Sequence, residues 1–143
     1  MDRDSYNMKN KAIAEETEYS VQEKLNFLGM HCISVADNDV LPYDLVADKV
    51  PIEVKSCHIV KRNGSKHKKS LGYFKFRKSP YEALLQSDAY YCFVVLHNGE
   101  RMIAGFKKSS ELGSYRSQRS VYDVLHGKLL TKNEFLEMVK HKQ

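Results

Sequence analysis

The feature that most constrains the fold is an apolar stretch, residues 42–56, that carries charged side chains within it. It reads Pro-Tyr-Asp-Leu-Val-Ala-Asp-Lys-Val-Pro-Ile-Glu-Val-Lys-Ser. Side chains of a β-strand alternate between two faces, so Ile52 and Val54 point to one face. Glu53 and Lys55 therefore share the other face. A carboxylate and an ammonium side by side in such a strand indicate either a chemical site or a salt bridge at an exposed sheet edge.

A short hairpin is expected to bring another carboxylate to the same place. Asp48 and Lys49 form a plausible turn between two apolar segments, which sets Asp44 across from Glu53 or Lys55. Two carboxylates this close repel each other unless a proton or a cation lies between them. A hard divalent ion held by two carboxylates, a backbone carbonyl and waters satisfies them. We therefore expect a Mg²⁺ site, with Lys55 placed to orient a bound water or to offset charge on a phosphate.

The same residues resemble the motif of the PD-(D/E)xK nuclease superfamily. The first acidic residue of that motif corresponds to Asp44, and the (D/E)xK triplet corresponds to Glu53-Val54-Lys55. Upstream, Glu18 stands in a predicted helix that ends at a glycine, which is similar to the first helix of the superfamily. Downstream, residues 72–96 are similar to the strand–helix–strand unit that closes its core. The resemblance covers about residues 12 to 106.

The resemblance implies a fold and an activity. The fold is α/β, a restriction-endonuclease-like αβββαβ core with a central mixed sheet of about five strands flanked by helices. The activity is Mg²⁺-dependent hydrolysis of DNA phosphodiester bonds, leaving a 5′-phosphate and a 3′-hydroxyl, with Mn²⁺ expected to substitute. A homodimer that cuts both strands of a duplex or a junction is also implied.

Several interpretations of the function remain open. Among small members, the chain looks nearest to archaeal Holliday-junction resolvases, which would place it in DNA recombination or repair. Homing and restriction endonucleases are close alternatives. A non-catalytic nucleic-acid-binding module could keep the same fold without turnover. The last alternative is an assembly protein whose basic loop binds acidic protein surfaces.

The resemblance also implies a role for each residue of the site. Asp44 and Glu53 would bind the metal, with the Val54 carbonyl as a third protein ligand. Lys55 would position the attacking water. Glu18 would bind a second ion or orient its water; the alternative is a solvated glutamate, because the same helix carries several others.

Positive charge is concentrated directly after the motif strand. Residues 56–81 contain no acidic residue, and they carry eight cations against a net charge of +5 for the whole chain. The eight are Lys61, Arg62, Lys66, Lys68, Lys69, Lys75, Arg77 and Lys78. Residues 61–70 are polar and contain a glycine, which predicts a mobile loop. Clustered cations of this kind predict contacts with nucleic-acid phosphates, although a loop that only maintains solubility would have a similar composition.

Length and composition set the remaining limits. A chain of 143 residues with 42% hydrophobic residues is expected to form one domain, over residues 1–143, with a genuine core. No apolar run approaches the ~20 residues of a membrane span, and residues 1–4 are too charged to begin a signal peptide. Cys32, Cys57 and Cys92 are scattered, which argues against a disulfide framework. We expect a soluble, intracellular protein that works with DNA.

Hydrophobic spacing and turn signals predict several elements. Apolar side chains at helical spacing predict a helix over about residues 10–28, and Gly29 is a natural stop. A continuous apolar run predicts a strand at 90–96 that is covered on both faces. Asn98-Gly99 is a hairpin signal, and residues 101–106 are expected to pair back as the next strand.

Two capping boxes predict the starts of later helices. Ser79 as N-cap, Pro80 at the first helical position and Glu82 predict a helix that runs to about Ser87. Residues 131–134, Thr-Lys-Asn-Glu, predict the start of the last helix in the same way.

An aromatic stretch lies between these elements. Tyr73, Phe74 and Phe76 alternate with Lys75 and Arg77. Such an arrangement could stack bases beside phosphate contacts. Core packing on a half-buried strand is the alternative that we favour.

Overall fold

A computed structural model describes the backbone of residues 3–62 and 69–141, and the side chains of residues 8–59 and 72–141. The helices are α1 (Arg3–Phe27), α2 (Lys78–Leu85), α3 (Val121–His126) and α4 (Lys132–His141), with a short 3₁₀ helix at Ser109–Glu111. The strands are β1 (Cys32–Ser34), β2 (Leu45–Ala47), β3 (Val50–His58), β4 (Val60–Arg62), β5 (Lys69–Leu71), β6 (Tyr73–Lys75), β7 (Tyr90–His97), β8 (Glu100–Lys108) and β9 (Gln118–Ser120).

The centre of the fold is a mixed sheet of five strands in the order β1-β2-β3-β7-β8. Strands β3 and β7 are parallel, and the other neighbours in this sheet are antiparallel. A parallel pair needs a long crossover, and here the crossover runs through α2. The predicted mixed α/β core with about five strands is therefore confirmed.

Helix α1 covers one face of this sheet. It begins earlier than the sequence predicts, at Arg3, and ends at Phe27. Gly29 follows with φ of 99°, and the amide of Met30 donates to the carbonyl of Leu25 at 3.1 Å, which closes the C-terminus. Although α1 has 25 residues, no helix in the described part of the chain is both long and apolar enough to cross a membrane.

Two hydrophobic clusters lie on opposite faces of the sheet. One contains buried residues of α1 and α4, such as Leu25 and Phe135, packed with residues of the central strands. The other contains residues of α2, α3 and β6. Strand β7 contributes to both clusters, because Cys92 belongs to the first and Phe93 to the second. The prediction of a strand covered on both faces is confirmed.

The segments around the basic stretch differ from the prediction. The ends of the expected loop at 61–70 are strands β4 and β5, which pair with each other in a two-stranded sheet. Residues 63–68 lie outside the described residues. Strand β6, expected in the strand–helix–strand unit, pairs with β9 in a separate two-stranded sheet. The central sheet is completed at one edge by β1, which pairs with β2.

The first predicted capping box is wrong and the second is confirmed. Helix α2 begins at Lys78, and among the described residues no side chain caps it. Pro80 occupies the third helical position, where its missing N–H costs nothing because the first N–H groups of a helix have no internal partner. In the second box, the Thr131 hydroxyl accepts from the Glu134 amide at 3.1 Å, and the Glu134 carboxylate accepts from the Thr131 amide at 3.0 Å.

Gly72 lies between β5 and β6 and packs closely against the end of β3, and we expect it to tolerate no side chain. A Cβ at this position would lie 1.9 Å from the backbone carbonyl oxygen of His58, which cannot move away as a flexible side chain would. We predict that Gly72→Ala lowers the free energy of unfolding by about 2–4 kcal/mol. Urea unfolding measures this. Gly127→Ala is the control, since a Cβ at that position would lie 3.3 Å from its nearest neighbour, the carbonyl oxygen of Val124. Equal stability of the two variants would contradict the prediction.

Candidate active site

A tight hairpin between β2 and β3 positions the two carboxylates of the motif. Residues 48–49 both have positive φ, 46° and 73°, which is the backbone form of a two-residue hairpin turn. The register sets Leu45 opposite Ile52. Asp44, just before Leu45, therefore lies beside Glu53, just after Ile52. The predicted hairpin is present.

Backbone hydrogen bonds fix Asp44. Its amide donates to the carbonyl of Ile52 at 3.0 Å, and its carbonyl accepts from the amide of Val35 at 2.8 Å. One carboxylate oxygen, Oδ2, accepts from the amide of Val54 at 3.0 Å. The N–H and C=O of one strand residue project to the same side, so the Val54 carbonyl also points toward the side on which Asp44 lies.

Three carboxyl groups meet at this point. Burial, a hydrogen bond with Asp44 and the charges of Asp44 and Glu18 raise the pKa of Glu53 to about 10, while Lys55 acts in the opposite direction. Burial raises the pKa of Glu18 to about 7, and the charge of Asp44 and a hydrogen bond with it add to the rise. The side chain of Glu18, in the middle of α1, therefore faces Asp44 and Glu53 and is not simply solvated.

These raised pKa values predict how stability depends on pH. A raised pKa means that the folded protein binds protons more tightly than the unfolded chain, so the stabilisation is complete below about pH 4.5 and is lost as the pH rises. Glu18 loses its part as the pH passes about 7, and Glu53 loses its part on the way to about 10. We expect the free energy of unfolding in EDTA to fall by about 1–3 kcal/mol between pH 5 and pH 8, after allowance for solvent screening.

Urea unfolding at a series of pH values checks this expectation. Glu53→Gln should flatten the pH dependence, because the largest raised pKa is removed. A metal-free protein whose stability is constant or rises over this pH range would contradict the arrangement of the three carboxyl groups.

The side chain of Lys55 lies beside Glu53 and packs against the ring of Phe76. Its ammonium lies 5.3 Å from the ring centroid of Phe76, within the range of a cation–π contact. Glu53, Lys55, Phe76 and Tyr91 line a small hollow of about 30 Å³. The Phe76 ring is itself fixed by an edge contact with Tyr91, with centroids 5.5 Å apart. The lysine predicted from the triplet therefore stands at the carboxylate site in a restricted position.

Two larger hollows flank these residues along β3. The first has a volume of about 370 Å³, and its lining includes Asp44, Glu53 and Arg77. The second has a volume of about 710 Å³, and its lining includes Lys55 and Lys75. A polymer that passes through both would cross the carboxylates and the lysine, which suits an extended substrate.

The predicted nucleic-acid-binding residues fall into separate groups. Lys75 and Arg77 are exposed and line the two larger hollows. Lys78 is exposed, but its ammonium lies 3.9 Å from the carboxylate of Glu82 on α2. The backbones of Lys61, Arg62 and Lys69 lie in β4 and β5, while their side chains and the whole of Lys66 and Lys68 lie outside the described residues.

Two further residues at the site, Lys9 and Asn10, were not singled out from the sequence. They line the hollow of about 710 Å³ together with Lys55, and no local pattern marks them because they come from an ordinary polar helix. Gln118 lines the same hollow; it belongs to residues 115–119, a segment whose sequence suits either a nucleic-acid contact or an ordinary surface loop. Only the pairing of β9 with β6 brings Gln118 to this place.

The oxygen groups at the site fit a hard divalent ion. Among the described side chains, those of residues 8–59 and 72–141, no group of three His, Cys, Asp or Glu has the geometry of a metal centre by itself. Mg²⁺ does not need one, since it keeps several waters and usually takes one or two carboxylates. Asp44 and Glu53 supply these, and the Val54 amide, on the same side of β3 as its carbonyl, donates to Asp44. Burial is the main cause of the raised pKa of Glu53, and the charge of Asp44 adds a repulsion that a cation would relieve.

Comparison with known proteins gives a family match. A family model described as the PD-(D/E)XK nuclease superfamily domain matches residues 4–123. The match runs from α1 into α3, so it includes Glu18, Asp44, Glu53 and Lys55. No curated protein matches the chain.

Proposed function

The chain belongs to the PD-(D/E)XK nuclease superfamily, and on that basis we propose that it is a Mg²⁺-dependent endonuclease that hydrolyses DNA phosphodiester bonds. Members of this superfamily typically use divalent metals, and a nuclease domain implies a nucleic-acid substrate. The observation that carries the proposal is the β2–β3 hairpin, which places Asp44 against Glu53 with Lys55 beside them.

In this proposal, Asp44, Glu53 and the Val54 carbonyl hold the metal. Mg²⁺ is the expected ion, with Mn²⁺ as a substitute, and when bound it would polarise the phosphate and lower the pKa of a water. Asp44 is held in position for the metal by three hydrogen bonds with backbone groups of neighbouring residues. Because these bonds already hold Asp44 beside Glu53, its carboxylate needs little rearrangement to become a ligand.

Lys55 and Glu18 handle the water and the charge. The Lys55 ammonium, fixed over the Phe76 ring, orients the attacking water and offsets the negative charge that builds up on the phosphate. Glu18 has a pKa of about 7, so near neutral pH it can hold or release a proton beside Asp44. We assign it the role of orienting a water or binding a second ion.

Cations around the two larger hollows would position the DNA backbone. Arg77 lines the hollow that contains the carboxylates, and Lys75 lines the hollow that contains Lys55. In the sequence, further basic residues at 61–69 follow the end of β3. Such contacts fix the position of the backbone and carry little sequence information. The proposed substrate is therefore recognised by its shape, as in a Holliday-junction resolvase. In this proposal, the protein acts inside the cell as a homodimer that cuts both strands of the DNA.

The nuclease unit in this proposal is the whole chain, residues 1–143. The family match ends at residue 123, but α4 follows it closely. Phe135 and Val139 of α4 are buried in the same cluster as Leu25 of α1. The C-terminal helix thus supports the face of the sheet that α1 covers.

A cleavage assay with matched substrates tests this function. Purified protein is incubated with a labelled four-way junction, a linear duplex of matching sequence and single strands, each with Mg²⁺ or with EDTA. We expect Mg²⁺-dependent cuts, and symmetric cuts in the junction with the duplex spared would support the resolvase assignment. The absence of cuts in all substrates, with Mn²⁺ as well as Mg²⁺, would contradict the proposal.

A further inference from the structure

The larger hollow beside Lys55 has walls that suit a single nucleic-acid strand. We call it the Lys55 groove; its volume is about 710 Å³. One wall is the start of α1, with Lys9 and Asn10, and the other is the β6–β9 sheet, with Tyr73, Lys75 and Gln118. Its floor is the second half of β3, so it begins at the lysine of the motif.

Strand alternation turns one aromatic residue of β6 toward this groove. Phe74 is fully buried and makes an edge contact with Phe93, with centroids 4.9 Å apart. Tyr73, its neighbour, is 49% exposed and lines the groove together with Lys75, two residues along the strand. The favoured assignment of the aromatic stretch to the core thus holds for Phe74 and Phe76 but not for Tyr73.

Pairing with β9 gives Tyr73 a fixed base. Tyr73 pairs with Ser120 and Lys75 pairs with Gln118. The sheet is also tied to α3, because the amide of Val121 donates to the carbonyl of Gly72 at 3.0 Å. A large exposed ring on a held strand is costly to leave in water and is well placed to stack on another flat group.

The charges of the groove favour an anionic occupant. Lys9, Lys55 and Lys75 line it, and among the described residues around it none is acidic. The smaller hollow on the other side differs, since Asp39, Asp44 and Glu53 are part of its lining. A phosphate chain leaving the carboxylates is therefore drawn toward the Lys55 groove.

We infer that the Lys55 groove binds an unpaired strand of the DNA next to the cleaved bond, with Tyr73 stacked on a base and Lys9 and Lys75 on phosphates. A side chain can stack on a base only where the face of that base is free, as in a single strand or at a branch. Inside a duplex, neighbouring base pairs cover both faces. This inference rests on the proposed function and narrows its substrate to DNA with unpaired nucleotides at the cut.

DNA binding in EDTA tests the stacking without cleavage. The probes are a fluorescent duplex with a single-stranded overhang and a blunt duplex of the same sequence. We expect Tyr73→Ala and Tyr73→Leu to weaken binding of the overhang DNA about 5- to 150-fold, and Tyr73→Phe to retain it. Tyr122→Ala is the matched control, because Tyr122 is 55% exposed but does not line the groove.

Binding of the blunt duplex should change by less than about twofold in every Tyr73 variant. No loss on the overhang DNA in either Tyr73→Ala or Tyr73→Leu would overturn the inference, and so would an equal loss on both DNAs. Tyr73→Leu guards against a misfolded alanine variant, because it keeps a large apolar side chain on β6 but has no flat ring, and Tyr73→Phe controls for the lost hydroxyl.

The salt dependence of binding tests the lysines separately. Each lost phosphate contact on a single strand should reduce the slope of log K against log salt by about 0.7. Lys9→Gln and Lys75→Gln should each show this change with the overhang DNA, and Lys132→Gln, on α4 and outside the groove, should not. An unchanged slope in both groove variants would overturn the lysine contacts.

The same samples, assayed with Mg²⁺, separate this inference from the proposed function. If the Tyr73 variants cleave the DNA and bind the overhang as well as the unaltered protein does, the inference is overturned and the proposed nuclease function stands. Tyr73-dependent binding without cleavage by the unaltered protein would support the groove as a single-strand site and remove the nuclease.

Discussion

Replacing Glu53 by glutamine should lower Mg²⁺-dependent cleavage by at least about 10³-fold and at the same time stabilise the metal-free protein. Glutamine has nearly the same shape but no charge, so the metal loses an anionic ligand. The same change removes the carboxyl group whose pKa is raised to about 10 by burial and by Asp44 and Glu18. Stability and activity should therefore change in opposite directions at this one position.

Two measurements on one variant check this expectation. Single-turnover cleavage with Mg²⁺ gives the activity, and urea unfolding at pH 8 in EDTA gives the stability. Glu100→Gln is the control, because Glu100 is an exposed residue at the start of β8. A Glu53→Gln variant that cleaves normally, or that is less stable than the unaltered protein, would contradict the proposed arrangement.

Replacing Lys55 by methionine should lower the rate of cleavage by about 10²- to 10⁴-fold and weaken DNA binding only a few-fold. Methionine keeps an unbranched apolar chain that can still pack on the Phe76 ring. Only the ammonium is lost, and with it the group that orients water and offsets phosphate charge. The loss should therefore fall on the chemical step.

Single-turnover rates at saturating protein separate this loss from weaker binding. Lys132→Met serves as the control, since Lys132 is an exposed lysine at the start of α4. If saturating protein restored the full rate of Lys55→Met, Lys55 would be a binding residue and its assigned role would be wrong.

Much of the carboxylate site could be predicted because its geometry is local. The alternation of β3 and the turn at residues 48–49 determine where Asp44 and Glu53 stand, and both follow from a few neighbouring residues. The strand at 90–96 could be predicted equally well, because it is apolar throughout; it forms part of both hydrophobic clusters. The capping box at 131–134 is a short-range hydrogen-bond pattern and was predicted correctly.

Contacts between distant segments could not be predicted in this way. The pairing of β6 with β9 joins residues more than forty positions apart, and no local pattern encodes it. That pairing exposes Tyr73 and brings Gln118 to the Lys55 groove. The position of Glu18 was indicated only by the family resemblance, because one glutamate among several on a helix carries no local mark.

The start of α2 was predicted at the wrong residue for a different reason. Ser79 and Pro80 are residue types typical of a helix start. Tyr81 and Leu84, however, are buried in one cluster with residues of β7, and this packing determines where the helix begins. The amide of Tyr81 donates to the carbonyl of Arg77, so the first turn begins earlier than the capping pattern suggests. Tertiary packing here overrides a local preference.

The nuclease site is tested most directly by the cleavage of one end-labelled branched DNA by the unaltered protein and by Glu53→Gln, purified in parallel. We predict that the unaltered protein cuts with Mg²⁺ and not with EDTA, that the products carry 5′-phosphates, and that Glu53→Gln leaves the DNA intact while still binding it. Equal cutting by both proteins, or no cutting by the unaltered protein, would contradict the claim that the hairpin carboxylates form a nuclease site.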